Sequence, residues 1–224
     1  MASAPPLPET TPSQRARARR LYAKLDELYP DARCDLNYDS PFQLLVATIL
    51  SAQCLDATVN RATPELFRQY PNPESMAAAP LEHLEKLVKT CGFYRNKAKN
   101  LKAAATAIVE DFGGEVPRTI EELIRLPGAA RKTANVVLGN AFGLNHGMVV
   151  DTHIGRLSSR LGFTQHHPKN AVMIERDLMA TFPRGTWTQL AHLFIAHGRA
   201  VCKSQNPRCD GCPLRRRCPR VGVA

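Results

Sequence analysis

Cys202, Cys209, Cys212 and Cys218 follow one another as Cys-x6-Cys-x2-Cys-x5-Cys, four thiols within 17 residues near the end of a 224-residue chain. Thiolates are soft ligands that select zinc or iron–sulfur clusters over hard cations. Pro207, Gly211 and Pro213 fall between them, so the segment is a loop folded over a centre and not a regular helix. Structural zinc sites usually group their cysteines into two short pairs with a longer spacer. Here only Cys209 and Cys212 form a short pair, with singletons on either side. That pattern favours a 4Fe-4S cubane, with four sulfurs at its corners, over zinc. Disulfides suit a secreted chain, and the N-terminal residues MASAPPLPETTPSQRARARR hold no apolar leader. Cys34, Cys54 and Cys91 stand apart in mostly apolar surroundings and read as reduced core residues.

A second chemical group lies in residues 120–142, IEELIRLPGAARKTANVVLGNAF. An amphipathic helix ends at Leu126, Pro127-Gly128 turns the chain, and a new helix begins near Arg131. Such a helix-hairpin-helix captures anions: backbone N–H groups of the hairpin and first turn point outward, and the helix dipole adds positive potential. Gly128, Ala130, Arg131 and Thr133 are the candidate phosphate contacts, which position a duplex without reading its bases. Lys132 sits in the same first turn, where a cation is disfavoured. Partial burial against Leu126, Val136 and Val137 would add to that and favour the neutral amine, a nucleophile that forms Schiff bases. A phosphate-contacting lysine is the competing reading. Further on, Asp151 precedes Thr152-His153-Ile154 as a helix N-cap. Capping alone would account for it; facing an amine nucleophile, an ionised carboxylate would also stabilise positive charge developing on a sugar.

Composition limits the partners. The net charge is +10, and from Arg199 to the end seven Arg or Lys (Arg199, Lys203, Arg208, Arg215, Arg216, Arg217, Arg220) face one acid, Asp210. A polyanion is the expected ligand, and with only 6% aromatic residues backbone-directed duplex binding fits better than base stacking on single strands. No apolar run reaches membrane-spanning length. The elements that must position these groups read as all-α. A Pro/Ser/Thr-rich tail, residues 1–13, is expected to be disordered. A helix follows with Leu21, Leu25 and Leu28 on one face. Ser40-Pro41 caps a nearly all-apolar helix through PFQLLVATILSAQ, expected to be central and buried. Further helices are expected over 56–69, 80–90, 95–111, 119–126, 132–142, 152–161, 168–182 and 186–198, and no strand pattern is present. His153, His192, His197 and Trp187 read as packing residues.

These segments together resemble the endonuclease III family of DNA glycosylase/AP lyases. The resemblance runs from about Arg15 to Arg220 and rests on SPFQLLVATILSAQ, GFYRNKAKN (92–100), GEVP (114–117), LPGAARKTANVVL, VDTHIGRLSSRLG and the cysteine spacing. It implies two helical domains flanking a DNA-binding cleft: a six-helix barrel with the helix-hairpin-helix (34–146), and an iron–sulfur cluster domain formed by 14–33 and 147–224. It further implies that Lys132 attacks C1′ of a damaged nucleotide, that Asp151 is the catalytic carboxylate, and that Cys202, Cys209, Cys212 and Cys218 bind a 4Fe-4S cluster. Gln53 matches the residue that fills the gap left by the flipped nucleotide, and Phe93 the apolar wedge beside the orphaned base; a buried, structural cluster would hold a basic loop, Lys203 and Arg208, against DNA phosphates. The implied activity is removal of oxidised pyrimidines from duplex DNA followed by β-elimination at the abasic site. It would be carried out by a monomeric, cytoplasmic, nucleoid-associated bacterial or archaeal protein. A monofunctional glycosylase for mismatched or uracil bases is disfavoured by Lys132, and a non-catalytic damage binder by the presence of both Lys132 and Asp151.

Two positions depart from the family pattern. Gly128-Ala129-Ala130 stands where the hairpin usually reads Gly-x-Gly, and Leu55 replaces a small polar residue. If position 130 needed positive φ, its Cβ would cost about 1 kcal/mol.

Overall fold

The computed structural model describes residues 6–223. All regular elements among them are helical, and they divide into two compact units, one formed by residues 1–33 with 147–224, the other by residues 34–146. The expected tail, 1–13, lies partly outside the described residues. Its last positions are ordered, because Thr11 and Gln14 form a reciprocal capping box and Pro12 opens helix α1 (Pro12–Leu28).

In the unit closed by the C-terminal half, α1 buries Ala18, Leu21 and Leu25. It packs with α10 (Ala171–Thr181) and α11 (Trp187–Ala200), and both α10 and α11 pack on α9 (Thr152–Arg160). Phe163, Phe182 and Phe194 form an edge-to-face series with centroids 4.8 and 6.3 Å apart. Trp187 is buried and donates from Nε1 to Phe182 O at 3.0 Å. Gly155 lets α9 approach the carbonyl of Pro168 closely; a Cβ there would lie 2.1 Å from that oxygen. Helix α10 begins at Ala171 and not 168, because Asn170 supplies the cap to Met173 N.

The central unit is arranged round α2 (Pro41–Leu50), eight of whose ten residues are buried. Ser40 caps it and Pro41 opens it, as the sequence predicts. It ends at Leu50 and does not continue to Gln53, whose φ of 52° is incompatible with a right-handed helix. Around it lie α3 (Asp56–Gln69), α4 (Pro73–Ala78), α5 (Leu81–Leu87), α6 (Tyr94–Phe112), α7 (Ile120–Leu123) and α8 (Arg131–Phe142). They bury one continuous core that includes Leu44, Leu45, Leu66, Leu84, Leu101 and Leu138. The expected 80–90 helix breaks after Leu87 into a 3-10 turn, Lys89–Cys91, which leads to Gly92 at φ 59°. α4 is not among the expected helices, although Asn72 before Pro73 is a start signal, realised as a capping box with Ser75.

Candidate functional site: hairpin, loop tips and cysteine cavity

In the central unit the hairpin follows directly from α7. Leu126 and Ala129 are buried, 2% and 7% exposed, and Ala129 N donates to Leu126 O at 3.0 Å, which closes the turn. Gly128 has φ 82° and lies against Asn100 and Ile49, with its position for a Cβ 3.0 and 3.2 Å from their nearest side-chain carbons. This is the position at which the hairpin requires glycine. Ala130 has φ −89° and ψ 173°, an extended N-cap conformation open to any residue. The departure at Ala130 therefore carries no backbone strain. Ala130 contributes no side-chain acceptor to the first turn of α8, and that turn contains no acid of its own to offset the positive helix end.

Arg131 and Lys132 are exposed. The partial burial expected for Lys132 is not found, because α8 turns Thr133, Ala134, Asn135, Val137 and Leu138 inward and leaves position 132 on the opposite side. Thr133 is 8% exposed, so its side chain faces the interior and its backbone is what it can offer to a phosphate.

Two loop tips of the same unit stand out. Gln53 is exposed at φ 52°. Phe93 is 68% exposed at φ 45°, as the N-cap of α6. Non-glycine residues seldom occupy this left-handed region, which costs of order 1–3 kcal/mol, and they cluster where function uses the strain. An exposed phenylalanine in such a conformation excludes the core role that burial statistics alone would assign. Leu55 is 77% exposed beside Gln53. Cys91 is buried, while Cys34 and Cys54 are only half-buried, so the expected core role holds fully for one of the three.

In the other unit Asp151 is the N-cap of α9, its Oδ1 accepting from Ile154 N at 2.9 Å. It is half-buried and lies in a groove with His153, Arg156, Lys169, Arg199 and Lys203. Burial, more than any charge, pushes the His153 imidazole below its ordinary value, and Asp151 opposes the shift. Lys203 is exposed.

Cys202, Cys209, Cys212 and Cys218 wall one small cavity, with Leu157, Leu161, Val201, Leu214 and Val223 supplying its apolar sides. All four are free thiols and half-buried. Burial pushes the Cys212 and Cys218 thiols up, and the neighbouring cysteines add to it; a cation bound among them would favour their thiolates. No three His, Cys, Asp or Glu side chains among the described residues converge as they would on a single ion. Four soft donors lining one cavity fit a thiophilic metal or an iron–sulfur group by their chemistry. Donors toward the sulfurs are present: Arg160 Nη1 lies 3.5 Å from Cys202 Sγ and His197 Nε2 lies 3.6 Å from Cys212 Sγ. His197 is 2% exposed, meets Tyr29 Oη through Nδ1 at 2.9 Å, and is lowered by burial to about 4.

Residues 46–184 match the HhH-GPD superfamily of base excision DNA repair proteins. Over 207 residues, 92% of this chain and 94% of the relative, the sequence is 50% identical to endonuclease III of Synechocystis sp.. The chain belongs to the endonuclease III family. The enzyme of Bacillus subtilis is 48% identical over 85% of this chain and 86% of its own. A solved structure of a trapped endonuclease III–DNA covalent intermediate, an estranged-adenine complex, superposes with a TM-score of 0.85 at 42% identity, covering 92% of this chain and 96% of that one. This family member is thus a base excision repair enzyme, a DNA glycosylase with AP lyase activity. No helix among its described residues is long and apolar enough to cross a membrane. Two sets of residues escaped sequence reasoning: the arginines that hold the cysteine segment, and Lys97, a lysine on the apolar stripe of α6.

Proposed function

We propose that this endonuclease III family member removes oxidised pyrimidines from duplex DNA and nicks the strand through a Schiff base on Lys132. The observation that carries this reading is the exposed Lys132 in the uncapped first turn of α8, directly after the hairpin. Backbone N–H groups around Gly128 to Thr133 hold a phosphate of the damaged strand. The Lys132 amine attacks C1′ and the damaged base leaves with the glycosidic electron pair; the sugar ring then opens at C1′–O4′, with the proton from nitrogen passing to O4′, and the resulting iminium acidifies the C2′ proton. Loss of that proton expels the 3′ phosphate. Asp151 supplies the carboxylate that stabilises the developing positive charge on the sugar. Gln53 and Phe93 enter the duplex, one filling the vacated stack and the other wedging beside the orphaned base; extrusion costs a few kcal/mol and least for a damaged base.

Cys202, Cys209, Cys212 and Cys218 hold a 4Fe-4S cluster. When bound, it acts structurally, fixing the loop that carries Lys203 and Arg208 toward the DNA backbone. The protein works as a monomer on damaged or abasic duplex in the bacterial or archaeal nucleoid. Support comes from the donor set round the cysteine cavity, the basic C-terminal segment and the family.

The test is incubation with a duplex carrying one thymine glycol, with and without borohydride. A trapped covalent adduct, lost in Lys132→Ala with the melting temperature unchanged, is the expected result. Base release without an adduct would replace the lyase assignment of Lys132 with hydrolysis by an activated water.

A further inference from the structure

The apolar stripe of α6 runs through Ala98, Leu101, Ala104, Ala105 and Ile108, and Lys97 lies on the same face, 5% exposed. A lysine is almost never this buried unless its amine is paired or hydrogen-bonded. Its Nζ donates to Leu50 O at 2.8 Å and also to Cys91 O. Both acceptors are carbonyls that a helix end leaves without an intrahelical partner. Leu50 is the last residue of α2, and Cys91 the last of the 3-10 turn Lys89–Cys91. A cation at the end of α2 also meets the negative end of its dipole. Meanwhile Lys97 N donates to Phe93 O at 3.1 Å and closes the first turn of α6.

Gln53 lies just beyond Leu50 in the chain, and Phe93 just beyond Cys91. Each tip holds a positive φ, 52° and 45°, which persists only where the surroundings over-determine it. The two loops are also neighbours through their thiols: burial is the main cause that raises Cys91, and Cys54 is the next.

We propose that Lys97 is a positioning residue, a strut that ties the end of α2 to the Lys89–Cys91 turn and so presents Gln53 and Phe93 to the duplex as one rigid pair. The inference rests on the reading of those two residues given above. Without the strut, each loop is free to relax toward ordinary backbone angles, and the tips lose their fixed separation. Chemistry at Lys132 does not need the strut; opening a stacked duplex does.

Lys97→Met keeps the apolar stem and removes the donor. Borohydride trapping is then compared on two substrates, an abasic site in fully paired duplex and the same site inside a short unpaired bubble. The expected result is a loss of about tenfold or more on the paired substrate and less than about twofold in the bubble, since misplacement of positioning groups is costly only where they are used. A general loss of fold lowers both alike, so equal losses overturn the proposal, as does wild-type trapping on paired duplex. Where Lys97→Met yields no folded protein, Lys97→Gln is read by the same ratio. Gln53→Ala and Phe93→Ala run beside it. If neither slows trapping on paired duplex, the reading of the tips has failed; if they do and Lys97→Met does not, only the strut has failed.

Discussion

The central unit and the cysteine segment of its partner unit are ordered by different forces. From Cys34 to His146 one continuous apolar core does the work, with Leu44, Leu45, Leu50 and Leu84 fully buried. Such a core tolerates strained tips at Gln53 and Phe93, because about 1.5–3 kcal/mol per buried Leu-sized side chain outweighs them. Between Val201 and Val223, Leu214 alone is buried. That segment is held by polar ties: Arg160 to the carbonyls of Lys203 and Ser204 at 2.6 and 3.0 Å, Arg156 to Cys202 O at 3.1 Å and Arg17 to Arg217 O at 3.0 Å. The contrast teaches that the first region carries its own stability, while the second rests on polar ties and, under the proposed cluster binding, on the group its thiols would hold.

Removing one thiol tests that contrast most severely. Cys212→Ala is expected to cost several kcal/mol locally, because ligand-bond energy is folding energy in a segment with so little core. Limited proteolysis should cut within residues 201–223 first and leave 34–146 protected, with visible absorption lost. Protection of 201–223 in a colourless variant would break the comparison.

A smaller effect is expected from Gly128→Ala. Positive φ costs about 1 kcal/mol and the approach to Asn100 and Ile49 about 1–3 more, so thermal unfolding should shift down by several degrees through the central core. Arg160→Met removes two carbonyl ties and a donor to Cys202 Sγ. A loss of about 1–2 kcal/mol, seen as faster amide exchange in 202–204 and not in α2, would sharpen the distinction. Least of all should follow from Ala130→Gly: with φ at −89°, stability should change by less than about 1 kcal/mol and duplex affinity should stay close to that of the original protein.

Much of this was legible in the residues. Ser40-Pro41, Asp151 and Leu-Pro-Gly at 126–128 are local signals: a cap, a fixed φ or a tight turn depends on neighbours in the chain. The cysteine spacing belongs with them, since donor softness and loop residues are matters of composition. Lys132 could be found as a first-turn lysine after a hairpin, but its exposure could not, because which side of α8 faces the core depends on what packs against it. Phe93 shows the same limit: the motif marks it as a candidate wedge, but only the tertiary structure shows it held outward at φ 45°. The periodicity of α6 does run through Lys97, Leu101, Ala104 and Ile108, so a cation on an apolar stripe was there to be noticed. Its acceptors were not, because Leu50 lies 47 residues away in the chain. The sequence by itself thus determined most of the helices, the hairpin, the donor set and the family. Tertiary structure alone decided which side chains are exposed, which backbone is strained and which buried cation meets two helix ends, because each depends on contacts between segments far apart in the chain.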